Sequence, residues 1–309
     1  MTRYAIVVPT FGRPDDLTRC LDALGAQRRP FDEIVVATRT DDPVSASVAK
    51  ASETRCTVLE LEDKGVLAAM AAGARASSAD VVCFTDDDAV APPDWLERLD
   101  AALDGDARVG GAGGRDAIVV NGTATAAQSH TSGVGRVTWY GRHVGRHHLG
   151  AGGARDVAFL KGVNAAYRRR ALGLPHGLRG AGAEAHYEIA VGRYARSQGY
   201  RLVYDPAITV EHHPAPRRGG DQRSAPSPAA ISDASYNLVV AVGGFRGLAR
   251  VAYATLVGDR GAPGLGRALL AVLRGDRATA RRLGPSVRGS LAGGWALVRG
   301  RGVTYETFA

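Results

Sequence analysis

The sequence predicts an α/β fold in which a mostly parallel sheet is flanked by helices and followed by a helical C-terminal region. In the first third of the chain, strand patterns alternate with helix patterns, the order expected when crossover helices join parallel strands. From Ser232 onward only helix patterns recur. The chain has 309 residues, of which 45% are hydrophobic, so it can form the core of one large domain plus an appendage.

In the first half, short apolar runs predict strands and spaced leucines predict helices. The strands are expected at Tyr4–Pro9, Glu33–Thr38, Val58–Leu61 and Val81–Thr85. Leucines at helical spacing predict a helix over Asp15–Leu24. Two further helices are expected at the alanine-rich segment Val66–Ala76 and at Pro93–Leu103, where a proline marks the start.

The second half is less regular and its first part is rich in glycine. Strands are expected at Val134–Gly141, Val157–Leu160, Arg201–Tyr204 and Ile208–Val210, and helices at Asn164–Leu172 and Ala185–Gln198. The polar, proline-containing segment 215–231 predicts a linker or flexible loop. We therefore expect a main domain over residues 1–214, divided into halves 1–108 and 109–214, and a helical C-terminal region over residues 232–309.

Composition and charge narrow the classes of partner. The net charge of +8 lies mostly in the second half and indicates nucleic acid, an anionic membrane surface or a phosphorylated ligand. The sequence has no zinc-finger spacing and no aromatic-rich RNA motif, so we expect no nucleic acid partner. The three cysteines read as reduced thiols, and no signal peptide or apolar stretch of spanning length is found. These features predict a cytoplasmic protein, with the inner face of the cell membrane as a further location.

The strongest chemical signal is the acidic triplet Asp86-Asp87-Asp88, which follows the strand predicted at Val81–Thr85. The carboxyl ends of parallel strands form the edge where open α/β sheets bind ligands. Adjacent carboxylates repel one another unless a cation or hydrogen-bond donors compensate them, and their oxygens suit Mg²⁺ or Mn²⁺. If the strand geometry continues, Asp86 and Asp88 point the same way and Asp87 points opposite. The alternative is a solvated acidic turn before the helix at Pro93.

The triplet belongs to an ordered set of segments that resembles the family 2 glycosyltransferases, which have the GT-A fold. The matching segments are Val8–Pro14, Lys64–Ala74, Asp80–Phe84, Pro92–Leu96, Lys161–Asn164, Arg168–Arg170, Gly199–Pro206 and Val210–His212. The resemblance covers about residues 4–215, and its specificity lies in the order of the segments. It implies a GT-A nucleotide-binding sheet, with residues 1–108 as the nucleotide-sugar half and residues 109–214 as the acceptor half.

The resemblance also implies an activity and a set of site residues. The activity would be the inverting, metal-dependent transfer of a sugar from a nucleotide-sugar donor, a UDP-sugar being favoured, to an unknown acceptor hydroxyl. The ligands of Mn²⁺ or Mg²⁺ would be Asp86, Asp88 and His212. Donor contacts would come from Pro9, Thr10, Arg13, Arg39, Asp41, Asp42, Asp86 and Asp87. Lys161, Gly162 and Asn164 would contact the acceptor or the sugar.

Two departures from the family pattern leave alternatives open. Many members place an aspartate directly after the second strand to bind the nucleobase, whereas here Asp41 and Asp42 follow a few residues later and also fit an Asp-Asp-Pro turn. The family's acidic base falls at Glu188 when the chain is counted back from Gly199-Tyr200. Glu184 lies one predicted helical turn earlier, and we expect it to be an ordinary helix acid.

Two other functions compete with sugar transfer. A nucleotidylyltransferase also uses acids at strand ends, but it would need a glycine-rich basic loop after the first strand, and Thr10–Pro14 has a single glycine. A non-catalytic protein that binds nucleotide-sugars or lipid phosphates at a membrane surface is the other alternative. Release of nucleoside diphosphate from a donor would separate an enzyme from such a binder.

Two basic segments stand outside this predicted site. The Gly/His/Arg-rich stretch Arg142–Arg155 could hold the donor diphosphate or an anionic acceptor. In Pro263–Leu283, arginines recur every seven residues opposite a row of leucines, which predicts a basic amphipathic helix. We expect its apolar side to pack on the domain, while peripheral contact with an anionic membrane stays open as a second role.

Overall fold

The computed structural model describes residues 1–120, 123–124, 131–180, 184–214 and 226–308. Its first half alternates strands and helices as the sequence predicts. In chain order these are β1 (Tyr4–Pro9), α1 (Pro14–Gly25), β2 (Glu33–Arg39), α2 (Pro43–Ala51), β3 (Thr57–Leu61), α3 (Val66–Ala76), β4 (Val81–Phe84), β5 (Ala89–Val90) and α4 (Trp95–Asp104). Helix α2 was not among the predicted elements, because it is short and has no row of large apolar residues.

The second half supplies the remaining strands of the domain and one long helix. These elements are β6 (Val109–Val120), β7 (Thr123–Ala124), β8 (Arg136–Val137), β9 (His143–Val144), β10 (Arg155–Val157), β11 (Ala165–Arg168), β12 (Gly173–His176), α5 (Tyr187–Ser197) and β13 (Arg201–His212). The strand predicted at Val134–Gly141 is shortened to the two residues of β8. The strand predicted at Val157–Leu160 begins earlier, as β10, and ends at Val157. The two strands predicted at Arg201–Tyr204 and Ile208–Val210 are one strand, β13, with a register shift between Asp205 and Thr209.

The helix predicted over Asn164–Leu172 is wrong. This segment forms β11 between two short 3₁₀ turns, Gly162–Asn164 and Arg169–Ala171. Strand β11 pairs on both sides, with β4 and with β6, so sheet pairing overrides the helical tendency of its alanines.

The central sheet confirms the predicted fold class. Its strands lie in the order β10-β13-β6-β11-β4-β1-β2-β3, and along this path β10 and β11 run against the others. Helices α1 and α4 cover one face of the sheet through leucines and Trp95, while α3 and α5 cover the other. The carboxyl ends of β1, β2 and β4 therefore meet at one edge, with the acidic triplet directly after β4.

Helices and one returning strand make up the C-terminal region. They are α6 (Pro228–Val242), α7 (Gly244–Leu256), α8 (Leu265–Leu273), α9 (Arg277–Arg281), α10 (Leu283–Val298) and β14 (Thr304–Thr307). Helix α6 begins inside the predicted linker 215–231, of which residues 215–225 lie outside the described part. Strand β14 pairs antiparallel with β12, so the region predicted as helical ends on the main domain as a strand.

The single helix predicted over Pro263–Leu283 is wrong, and so is the expectation that its apolar side packs inward. The chain breaks between α8 and α9, where Gly275 has a positive φ of 76°. Helix α8 buries its small residues Ala268 and Ala271, while Leu269 and Leu273 are 61% and 73% exposed. Within the described residues, every helix is too short or too polar to cross a bilayer.

Candidate active site

The acidic triplet places two of its three carboxylates on one side. The chain leaves β4 after Phe84, and the Thr85 hydroxyl anchors it by donating to the Val163 carbonyl at 2.9 Å. One ligand atom each from Asp86, Asp88 and His212 then lie within 4.8 Å of one another. The backbone turns at this point and does not continue as a strand, so the alternation expected for the three side chains does not apply, and Asp87 and Asp88 both contact Arg13 Nη1.

His212 reaches the triplet because β13 is long enough to pass from one half of the domain to the other. The end of β13 pairs antiparallel with β5, which sets His212 opposite Ala89. The next amide, that of His213, donates to the Asp88 carbonyl at 2.8 Å. The His212 imidazole is consequently fixed beside the turn that carries the acids. His212 is 3% exposed.

Two carboxylates face the two nitrogens of the His212 ring. Nε2 lies 3.3 Å from Asp88 Oδ1, and Nδ1 lies 3.8 Å from Asp116 Oδ2. Burial alone would lower the pKa of His212, but the facing carboxylates of Asp116 and Asp88 outweigh it and raise the pKa to about 9. Without a cation the ring is therefore protonated at neutral pH.

Asp116 is a site residue that the sequence analysis missed. It lies in β6 and is 2% exposed. Its register partner on β13 is Val210, and His212 lies two residues further along that strand, with Nδ1 3.8 Å from Asp116 Oδ2. Burial acts to raise the pKa of Asp116, but His212 and the charge of Lys161 outweigh it and hold the pKa below its ordinary value. The available signal was the one acid of Val109–Val120, a strand of glycine and apolar residues in which the only other charged residue is Arg115. Such an acid is buried only with a partner.

Asp87 ties the triplet to the loop after β1. It accepts a hydrogen bond from the Thr10 hydroxyl at 2.8 Å and pairs with Arg13 Nη1 at 2.9 Å. The same Nη1 lies 3.2 Å from Asp88 Oδ2. Burial raises the pKa of Asp87 to about 6, although the charge of Arg13 acts in the opposite direction. Thr10 and Arg13, two predicted donor contacts, are thus positioned at the edge of the acidic turn.

The other predicted donor contacts lie around the end of β2. Pro9 ends β1 and is aligned with Ala37 of β2. Arg39 stacks over the Phe11 ring at 4.2 Å and forms an ion pair with Asp41, whose side chain is 58% exposed. Asp42 is buried, caps α2 through the amide of Ser45, and accepts the amide of Gly12. Of the two acids left open by the sequence, Asp41 is the accessible one and Asp42 is engaged in the fold.

The predicted acceptor residues differ in their exposure. Asn164 is fully buried. Its Oδ1 accepts a hydrogen bond from the Trp95 indole, and its Nδ2 donates to the carbonyls of Arg115 and Ile208, so all its hydrogen bonds serve the fold. Gly162 lies directly against the Tyr187 hydroxyl and has no space for a Cβ. Lys161, which is half-buried, is the one charged group of the three.

Glu188 lies in the first turn of α5 and is half-buried. The pKa of the neighbouring Tyr187 hydroxyl depends on both Glu188 and Asp86 of the acidic triplet. Burial raises the pKa of the Tyr187 hydroxyl well above its ordinary value, and the charges of Glu188 and Asp86 add to the effect. Glu188 and Asp86 therefore both act on the same tyrosine hydroxyl.

Glu184 is not one helical turn before Glu188, as the sequence suggested. Helix α5 begins at Tyr187, after His186 in a left-handed conformation with φ of 72°. Glu184 instead reaches the start of α3, where its carboxylate accepts the amides of Val66 and Leu67. Burial nevertheless raises the pKa of Glu184 above its ordinary value. The structure gives this acid the role of a helix cap.

Comparison with known proteins agrees with this geometry. The family model described as glycosyl transferase family 2 matches residues 5–173. No curated protein matches the sequence. Among solved structures, the chain is similar to a mannosyltransferase from Pyrobaculum calidifontis in complex with GDP-Man and Mn²⁺. The identity is 18% over 95% of this chain and 87% of that chain, with a TM-score of 0.55.

Two further structures share the fold. Residues 1–349 of TarS from S. aureus, in complex with UDP-GlcNAc, match at 13% identity over 99% of this chain and 97% of that one, with a TM-score of 0.56. GalNAc-T7 with UDP, GalNAc and Mn²⁺ matches at 16% identity over 78% of this chain but 48% of its own, with a TM-score of 0.58. At these identities the likeness establishes the fold. Together with the family match, it shows that the chain belongs to glycosyl transferase family 2 and is a glycosyltransferase of the GT-A fold.

Proposed function

We propose that this protein is an inverting, metal-dependent glycosyltransferase that moves a sugar from a nucleotide-sugar, preferably a UDP-sugar, to an acceptor hydroxyl. The observation that carries the proposal is the convergence of Asp86, Asp88 and His212 at the carboxyl edge of the sheet, with ligand atoms within 4.8 Å. The structures of similar fold that contain GDP-Man, UDP-GlcNAc or UDP support this class of donor.

The residues present fit a divalent cation. Two carboxylates and one imidazole form an oxygen-rich set of the kind that Mn²⁺ accepts readily and Mg²⁺ accepts less often because of its nitrogen. Neither ring nitrogen of His212 makes a hydrogen bond of good geometry, so the ring can offer a lone pair once it loses its proton. Asp116 on the far side would hold the ring in place, as partners of metal-bound histidines do. A bound cation would neutralise the charge that develops on the leaving diphosphate.

The protein's own residues would divide the remaining work. Arg13 and Thr10 would orient the donor, since Asp87 fixes both beside the acidic turn. Glu188 would accept the proton of the acceptor hydroxyl as that oxygen attacks the anomeric carbon and the diphosphate leaves from the opposite face. A single displacement of this kind inverts the anomeric configuration.

A peripheral role at a membrane surface is a second candidate, and it is favoured by the apolar face of the C-terminal helices. Large apolar side chains that are at least 43% exposed occur on α7, α8 and α10: Phe245, Leu248, Leu256, Leu265, Leu269, Leu270, Val272, Leu273, Leu291, Trp295 and Val298. Helix α7 packs on both α8 and α10. Exposed arginines, including Arg274, Arg277 and Arg281, lie beside these residues. Exposed leucine and tryptophan with flanking arginine are typical of helices that bind anionic lipid.

The first prediction concerns the cation. Asp88→Asn keeps the size of the side chain but removes one charge from the ligand set, so the Mn²⁺-dependent part of donor binding should fall by at least about tenfold. Calorimetry of UDP-sugar binding with and without Mn²⁺ measures this. Asp104→Asn, at the exposed end of α4, is the matched control. Equal Mn²⁺-dependent affinity in wild type and Asp88→Asn would rule out the assigned ligand set.

The second prediction concerns the base. Glu188→Gln cannot accept a proton at neutral pH, so turnover on a responsive acceptor should fall by about 10²–10⁴-fold while donor affinity stays constant. In Glu184→Gln the side chain can still accept the two amides of α3, so turnover should change little. Turnover and donor binding are measured for both variants. An inactive Glu184→Gln beside an active Glu188→Gln would show that the base has been assigned to the wrong acid.

The third prediction concerns the membrane. The protein should co-sediment with vesicles containing anionic phosphatidylglycerol, and salt should release it because screening weakens the arginine contacts. The pair Leu269→Ser and Leu273→Ser should reduce binding by at least about tenfold, since two exposed leucines would no longer enter the lipid. Val44→Ser is the control, because the Val44 side chain is exposed at the start of α2. Vesicle binding that is unchanged by the two leucine substitutions would contradict lipid docking. So would a protein dimer that the same substitutions dissociate.

A further inference from the structure

A group of basic side chains lies between the C-terminal helices and the start of α5. We call it the His–Arg cluster, and it consists of His143, His186 and Arg250. It forms where the loop before β9 packs directly on α7: a Cβ on Gly141 would lie 2.5 Å from the Cβ of Arg250. The proposed mechanism uses none of these residues.

Arg250 is the buried member of the cluster. It is 1% exposed, and a guanidinium stays charged in proteins. Its Nη2 donates to Asp259 Oδ2 at 2.6 Å, whereas Nε and Nη1 have no hydrogen-bond partner among the described residues. Asp259 also faces Arg142, with 3.9 Å between Oδ1 and Nε. One carboxylate thus serves two guanidinium groups, and buried N–H donors are left without an acceptor.

The two histidines extend the cluster from Arg250 toward the start of α5. Their rings lie 4.7 Å apart in an edge-to-face arrangement, and Nδ1 of His143 is buried without a hydrogen-bond partner among the described residues. Burial lowers the pKa of His186 well below its ordinary value, and the nearby charges of Arg250 and Lys161 act in the same direction. Both rings are therefore neutral, so Arg250 carries the positive charge of the cluster, and its ion pair with Asp259 leaves Nε and Nη1 without an acceptor among the described residues.

The cluster adjoins the proposed base. His186 is the N-cap residue of α5, and Glu188 lies two residues later in the first turn. The N-terminus of this eleven-residue helix adds a partial positive charge. Leaving buried donors unpaired is costly, and an anion with several acceptor oxygens would satisfy them.

We propose that the His–Arg cluster binds an anionic group of the acceptor, a phosphate or a carboxylate, and so directs the acceptor hydroxyl toward Glu188. This inference rests on the proposed glycosyl transfer and deepens it, because it names the class of acceptor. The site is separate from the cation site, which is formed by Asp86, Asp88 and His212. Arg250 and His143 recognise the anion, while Glu188 remains the group that takes the proton.

The test measures anion binding where the cation site is disabled. In the Asp88→Asn background without divalent cation, inorganic phosphate and acetate are titrated separately by calorimetry and by thermal unfolding, since a ligand of the native state raises its midpoint. Binding of one of them identifies the phosphate or the carboxylate class. Arg250→Gln and, separately, His143→Ala should weaken that binding by at least about tenfold. Arg246→Gln, exposed one turn earlier on α7, is the matched control and should change nothing.

The outcomes separate this inference from the function on which it rests. With Asp88 restored, Arg250→Gln should keep its Mn²⁺-dependent UDP-sugar binding. If Arg250→Gln fails to fold, His143→Ala takes its place in this measurement and should keep that binding as well. Anion binding that both substitutions leave unchanged, or no binding of either anion, would overturn the proposal. If the wild-type protein shows no Mn²⁺-dependent nucleotide binding, the proposed function is overturned instead, while the His–Arg cluster could still bind its anion.

Discussion

The site depends on one short antiparallel pairing, between β5 and the last residues of β13. Strand β5 directly follows the acidic triplet, and β13 belongs to the other half of the domain. The pairing therefore brings side chains from both halves together in one site. It sets His212 against Asp88 and puts the His213 amide on the Asp88 carbonyl. Without it, the triplet would be an acidic turn at a sheet edge. With it, two acids and an imidazole face one point.

Charge balance then explains the residues around that point. Asp87 is compensated by the Thr10 hydroxyl and by Arg13, whose Nη1 also lies 3.2 Å from Asp88 Oδ2. His212 is held between Asp88 and Asp116, which keeps its pKa high in the absence of a cation. In the His–Arg cluster the balance is reversed, since the one carboxylate of Asp259 faces the guanidinium groups of both Arg250 and Arg142.

The sequence could predict the parts of this protein that follow from local patterns. Alternating strands and helices predicted the sheet, and the position of the acidic triplet after β4 predicted the edge at which it lies. Strand alternation does not explain why ligand atoms of Asp86 and Asp88 lie close together, because the backbone turns after Phe84. What it could not predict depends on contacts between distant segments. Asp116 becomes a site residue only when β13 lies beside β6, and β11 is a strand because two neighbours pair with it. Likewise, the leucines of α8 and the helix-capping role of Glu184 are decided by which surface each segment meets.

The central claim is that Asp86, Asp88 and His212 hold a divalent cation on which the donor diphosphate rests. Crystals grown with Mn²⁺ and UDP test it most directly, through anomalous diffraction measured at the manganese absorption edge. We expect one anomalous peak within coordination distance of Asp88 and His212, in contact with the diphosphate oxygens, with Nδ1 of His212 turned toward Asp116. Nucleotide bound at the sheet edge with no anomalous peak there, or a peak held by other residues, would contradict the account.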